Sequence, residues 1–253
     1  MKQITLLLYA LLVTPMHLLA ADFKLNQDQY VSREIKRTLN GIDASHEKKG
    51  IVEAFLKDQL SQSFPLILKF AQERKIKSET EAEQIGFMLM SELRSRSVQV
   101  LLPSEQTEVL ILSLKLTEKM TPFECSRFMR KQRTDDLEKG REILAIATEL
   151  DVKDLRSYTE LHRKALELLL TKKGKATALS NERREEARRS FANLIKSKSE
   201  TDPHLGELKK GRTFDSMSDN AVCESGRALL RILLTKDRLL SDRVVLYLQG
   251  NLI

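Results

Sequence analysis

DVKDLRSYTELHRKALELLL, residues 151–170, decides the fold class. Leu155, Tyr158, Leu161, Ala165, Leu168 and Leu169 recur at steps mostly of three and four. On a backbone that turns once per 3.6 residues, these side chains share one face. Charged residues fill the opposite face, and Asp151 or Asp154 supplies the acceptor that first-turn N–H groups need. A half-buried strand would require alternation of period two, which this stretch lacks.

The same period recurs on both sides. Ala82, Ile85, Leu89 and Leu93 form a stripe, and Ser78 with Glu81 has the spacing of a capping box at its start. Ala187, Phe191, Leu194 and Ile195 follow Ser180, and Leu240, Val244 and Leu248 repeat the pattern with Ser241 read as the start. Thr121-Pro122-Phe123-Glu124 is the best-specified beginning, with Thr at N-cap, Pro at N1 and Glu at N3. Val31, Ile35 and Leu39 run into Asn40-Gly41, which reads as a helix end with Gly41 at C′. Val109-Leu110-Ile111-Leu112 would equally suit a buried strand. A lone strand has no partner, however, and Pro103-Ser104-Glu105 opens a helix, so this segment is expected as a central buried helix. The expected fold is all-α: an irregular multi-helix bundle or short α-solenoid of about nine to eleven helices.

Composition agrees. Of 253 residues, 41% are hydrophobic and 31% charged, the mixture of a globular chain and not of a disordered one. Nine Gly and five Pro are too few for an all-β sandwich with its frequent turns.

Residues 1–21 read as a cleaved signal peptide. Lys2 is the positive start, Leu6, Leu7, Leu8, Leu11, Leu12 and Val13 the apolar region, and Ala20 or Ala21 the small residue at the cut. Pro15, His17 and the acidic Asp22 argue against a retained anchor. The remainder has no apolar run near twenty residues, so no transmembrane segment is expected in the mature chain, which is placed as exported, periplasmic or secreted.

Thr171–Thr177 and Ser197–Ser218 are rich in turn formers. They divide the chain into a larger helical lobe at 22–173 and a smaller one at 174–253 packed on it, or else lie within one domain at 22–253. Leu25, Leu102 and Leu179 each begin a similar five-residue pattern at 77-residue intervals, which suggests a triplicated unit. The residues between them align poorly.

Cys125 and Cys223 each follow a similar helix start, Met120-Thr121 and Met217-Ser218. Each also lies on an apolar stripe, Cys125 with Phe128 and Met129, Cys223 with Gly226, Leu230 and Leu233. An even count in an exported chain predicts a disulfide between them. Two unlinked core cysteines are the alternative. A redox role would want a Cys-x-x-Cys pair or an activating His, and neither is present.

Catalytic chemistry finds little purchase. His46 lacks a second His at ligand spacing, Glu160 and His162 are two residues apart and so on different sides of a helix, and His204 follows Pro203 in a presumed loop. No Gly-x-Ser-x-Gly elbow, Walker loop or Rossmann fingerprint occurs. No metal or cofactor is therefore expected, and a catalytic role is disfavoured without being settled, since 36 acidic residues supply many carboxylate pairs.

Charge is more informative. The chain carries a formal +7, and between Thr171 and Arg212 twelve Lys and Arg stand against six Asp and Glu. Lys172, Lys173, Lys175, Arg183, Arg184, Arg188 and Arg189 are the expected partner-binding residues. Arg127, Arg130, Lys131 and Arg133 form a second cluster on one helix, balanced by Asp135, Asp136 and Glu138 and read as ordinary surface. With Phe191 the single aromatic between Thr171 and Arg212, nucleic acid is disfavoured. An acidic protein fits best, and anionic lipid or glycan would meet the same charge. The sequence thus leads to an exported, non-catalytic protein that binds other proteins in the cell envelope (adaptor, chaperone-like or toxin-neutralising). The alternative is a hydrolase acting on an envelope polymer through paired carboxylates.

Overall fold

Helices begin where a side-chain oxygen waits for a first-turn N–H group. Asn26, Ser45, Thr121, Asp151, Ser180 and Ser218 each accept from the backbone three residues on, with Asp151 closest at 2.7 Å from the Asp154 N–H. At Thr121 the box closes from both sides: the Glu124 carboxylate accepts from the Thr121 N–H at 2.8 Å and the Thr121 hydroxyl accepts from the Glu124 N–H. Leu102 has no acceptor to offer, and there Glu105 alone closes the start by accepting from the Leu102 N–H at 3.1 Å.

The computed structural model describes residues 26–250, apart from 131–136, 210–212 and scattered positions between 75 and 95. The signal peptide read at 1–21 lies outside the described residues. The helices are α1 (Gln27–Asn40), α2 (His46–Glu73), α3 (Pro103–Lys119), α4 (Pro122–Met129), α5 (Leu137–Ala147), α6 (Val152–Leu170), α7 (Asn181–Lys198), α8 (Pro203–Lys209), α9 (Asp219–Leu233) and α10 (Leu240–Leu248). Further helical residues lie between 81 and 97, and 3-10 turns occupy Val98–Val100 and Phe214–Ser216. Among the described residues there is no strand, and none of the helices is long and apolar enough to cross a membrane.

One core runs from Tyr30 to Val244. It takes Val52, Phe55 and Ile67 from α2, Leu110 and Leu116 from α3, Leu155 and Leu166 from α6, Phe191 from α7, and Leu229, Leu230 and Leu233 from α9. It is therefore continuous across residues 173 and 174. A satellite cluster joins Val98 and Leu101 to Val109, Leu112, Leu161 and Ala165; another joins Leu179 and Ala187 to Val245 and Leu246.

Several local expectations change. Gly41 ends α1 by donating to Thr38 and Leu39 carbonyls, but with φ −88° its left-handed freedom is unused. The 109–112 segment is helical, yet Ile111 points to solvent, because a helix packed on one side cannot bury four consecutive residues. Leu168 and Leu169 are only half-buried, and Thr159 and Leu166 take core positions on α6 instead. Ser241 lies inside α10, which starts at Leu240. His204 sits in the first turn of α8 and not in a loop, because Pro203 presets the helical φ there. The three segments spaced at 77 residues all open helices, but 14-, 17- and 18-residue helices follow them, and α2 after the first is 28 residues against 8 for α4 after the second.

Candidate functional site

Two places gather the predicted residues: the contact of α4 with α9, and the basic region from Lys172 to Arg189.

α4 and α9 form the most extensive helix–helix contact described. Their N-caps, Thr121 and Ser218, set the register that puts Cys125 and Cys223 opposite each other, both fully buried. The sulfurs are at disulfide distance, 2.14 Å, with Cα atoms 5.2 Å apart. Close approach depends on Gly226: a Cβ there would stand 2.6 Å from Met129 Cγ. Arg130 corrects the reading of its cluster as surface on one helix. α4 ends at Met129, and the Arg130 guanidinium turns back to donate to Phe214 O (3.1 Å), Met217 O (2.7 Å) and Asp219 Oδ1 (2.6 Å). The Ser126 hydroxyl donates to the same Asp219 oxygen at 2.8 Å. Those two hydrogen bonds, Ser126 first and then Arg130, hold the Asp219 carboxyl below its ordinary pKa. Arg127 lies over the exposed Phe123 ring and pairs with Glu142. Lys131, Arg133, Asp135 and Asp136 fall outside the described residues.

The basic region divides once side chains are placed. Arg183, though exposed, is already paired, gripping the buried Asp242 carboxylate with two nitrogens, Nε at 2.9 Å. Arg188 pairs with Glu185 at 2.8 Å along the helix, and Glu186 takes Arg238. Arg184 is half-buried, its Nε lacking an acceptor. Lys172, Lys173, Lys175 and Arg189 are exposed, and none has a side-chain ion pair or hydrogen bond among the described residues. α7 and the 171–180 loop therefore bring only part of the predicted set to solvent as free charge.

Beneath α7, Arg243 of α10 is fully buried. It donates to both Asp237 oxygens (2.9 and 2.8 Å), to Ser190 Oγ (3.0 Å) and to Thr235 O (2.6 Å). Desolvation raises the Asp237 pKa, but the hydrogen bond from Arg243, the Leu239 and Leu240 N–H groups and the Arg243 charge outweigh it, leaving the carboxyl below its ordinary value. Sequence reading missed both Arg130 and Arg243. For Arg243 a signal existed: it directly precedes Val244-Val245-Leu246, all of them buried, where a lone cation requires an internal partner.

A groove of about 180 Å³ opens between α2 and α6, lined by Ile51, Ala54 and Phe55 of α2 and by Arg156, Thr159, Glu160 and Arg163 of α6. Arg156 pairs with Glu47 at 2.9 Å. His162 packs edge-on to Tyr158, while His46 and His204 are exposed at their helix starts. Among the described residues no three His, Cys, Asp or Glu converge as a metal site. Comparison with protein-family models, with curated proteins and with solved structures gives no match to this chain.

Proposed function

We propose that this chain is an exported, non-catalytic helical protein that acts by binding another protein in the cell envelope, through the basic surface around Lys172, Lys173, Lys175 and Arg189. The observation that carries the reading is a set of exposed cations with no internal partner, three of them clustered on one loop beside a helix on which Arg183, Arg188, Glu185 and Glu186 are matched. Unmatched charge of one sign steers an oppositely charged partner and sets the register of docking. An acidic partner follows from that sign. Export is supported by the residue 1–21 pattern and by two buried cysteines at disulfide distance, an arrangement suited to an oxidising compartment.

Capture from envelope extract tests the reading. Wild type is compared with a variant in which Lys172, Lys173, Lys175 and Arg189 become Glu, leaving Arg183 and Arg188 to their internal pairs. Loss of the captured protein is the expected result, and capture unchanged by the reversal overturns the basic surface as the contact. Release of reducing sugars or peptides from purified cell wall would instead favour the polymer hydrolase.

A further inference from the structure

The 171–181 stretch, TKKGKATALSN, has three lysines in four positions and no acidic residue. On α7, by contrast, cations alternate with Glu182, Glu185 and Glu186. Resting on the protein-binding reading above, we infer that the Lys172–Lys175 loop is itself the contact element and receives a carboxylate-rich segment of the partner.

The backbone supports this choice independently of charge. Lys172 has φ +56°, alone among the described non-glycine residues in taking a positive φ. It follows the Thr171 C-cap of α6, the position where glycine or asparagine sits with least strain. A lysine kept there gives up local stability, and such a departure is expected where the side chain serves something else. The loop is also pinned. The Gly174 N–H donates to Leu168 O at 3.1 Å, and a Cβ on Gly174 would stand 2.7 Å from Val100 Cβ. Gln249 donates to Thr177 O at 2.8 Å, and Leu179 is buried with Ala187, Val245 and Leu246. An ordered loop presents its ammonium groups without the entropy cost of ordering a flexible one.

The loop chemistry selects carboxylates on a protein. It carries no aromatic on which a base could stack. Its apolar residues are Ala176, Ala178 and the buried Leu179, so nothing large is free to insert into a bilayer. Lysine ammonium groups act as point charges and suit an irregular run of Glu and Asp, where paired planar acceptors would call for arginine.

The test uses the mature protein and two probes: a fluorescein-labelled oligoglutamate peptide, and phosphatidylcholine vesicles containing phosphatidylglycerol. One variant combines Lys172→Gly, Lys173→Ser and Lys175→Ser; the first change relieves backbone strain, and a thermal melt confirms the fold. The comparator is Lys196→Ser with Lys198→Ser, two exposed cations at the far end of α7. Salt-sensitive peptide binding by wild type is expected, weakened about ten-fold by the loop variant, the effect of losing three exposed charge pairs. The comparator is expected to bind as wild type does. Loss in the comparator but not in the loop variant overturns the loop assignment and moves the contact to the far end of α7, outside the surface around Lys172, Lys173, Lys175 and Arg189, while an acidic partner still stands. Binding unchanged in both, or no peptide binding by wild type, overturns the loop assignment and removes support from the broader surface. Vesicle binding without peptide binding overturns the choice of a protein segment.

Discussion

α4 and α9 meet through short or apolar side chains, Cys125, Cys223, Met129 and Gly226, with charge confined to the Arg130–Asp219 rim. α7 and α10 meet through long polar ones, Arg183 on Asp242 and Arg243 on Ser190, with Arg243 also holding Asp237 in the turn before α10, beside the small cluster of Leu179, Ala187, Val245 and Leu246. The reason lies in the composition of the helices. α9 buries nine of its fifteen residues, so it has apolar area to spend and can come close. α7 buries only Ala187 and Phe191, so polar contacts supplement its small apolar patch: Arg183 reaches Asp242 from the solvent side, and Ser190 accepts from the buried Arg243. One junction is expected to respond to reductant and packing changes, the other to loss of a single charge.

The largest effect should come from the cysteines. Cys125→Ala with Cys223→Ala is expected to lower stability by about 4–5 kcal/mol, since the closed loop is long. Urea unfolding of the oxidised protein against the double variant measures it. A loss below about 1 kcal/mol would mean that packing alone closes α4 on α9 and would erase the covalent side of the contrast.

Next is Asp237→Leu, which strands the fully buried Arg243 charge and should cost about 3–5 kcal/mol. Adding Arg243→Leu should restore much of it, because both charges then leave together. If the double variant is as unstable as the single one, the pair is not the unit that holds the start of α10.

Gly226→Ala sharpens the packing side. Its new Cβ meets Met129, and an expected cost of about 1–3 kcal/mol follows from overpacking. Gly50, on the exposed side of α2 with open space around its Cβ position, provides the contrast: Gly50→Ala should gain about 0.5–1 kcal/mol through helix propensity. Opposite signs at the two glycines in thermal melts, with the larger change at Gly226, support the described geometry, and a neutral Gly226→Ala contradicts it.

The smallest effect is in pH. Asp219 and Asp237 both lie below the ordinary value of 3.8 in the folded protein. A depressed folded pKa contributes stability above that ordinary value, and the contribution disappears as pH falls through the native one. Stability should therefore hold through the neutral range and drop in acid, and Asp219→Asn should flatten part of that acid limb. An unaltered limb in Asp219→Asn would show that the Arg130 clamp carries no charge-dependent stability.

Much of this architecture was legible beforehand because it is local. The 3.6-residue stripes identified α1, α6, α7 and α10, though none was read for α2, α5 or α8, and the Thr121, Ser180 and Ser218 starts fell where a short side chain caps first-turn N–H groups. The cysteine pairing was readable because two similar starts carried two cysteines on apolar stripes. The basic region was visible as charge, but which of its members are paired was not. Arg183 and Arg189 look alike in sequence, and only the position of Asp242, 59 residues further on, separates a paired arginine from an unpaired one.

By itself, then, the sequence determined helix class, the well-capped helix starts at Thr121, Ser180 and Ser218, the cysteine pair and the sign of the surface, since each follows from neighbours a few residues apart or from simple counting. Tertiary structure alone decided that Arg130 and Arg243 serve the interior, that Arg183 and Arg188 are matched, and that Lys172, Lys173 and Lys175 stand free on a pinned loop. A charged side chain is defined by what faces it, and what faces it is brought there by chain segments up to 113 residues distant, whose arrival is set by the packing of the whole core.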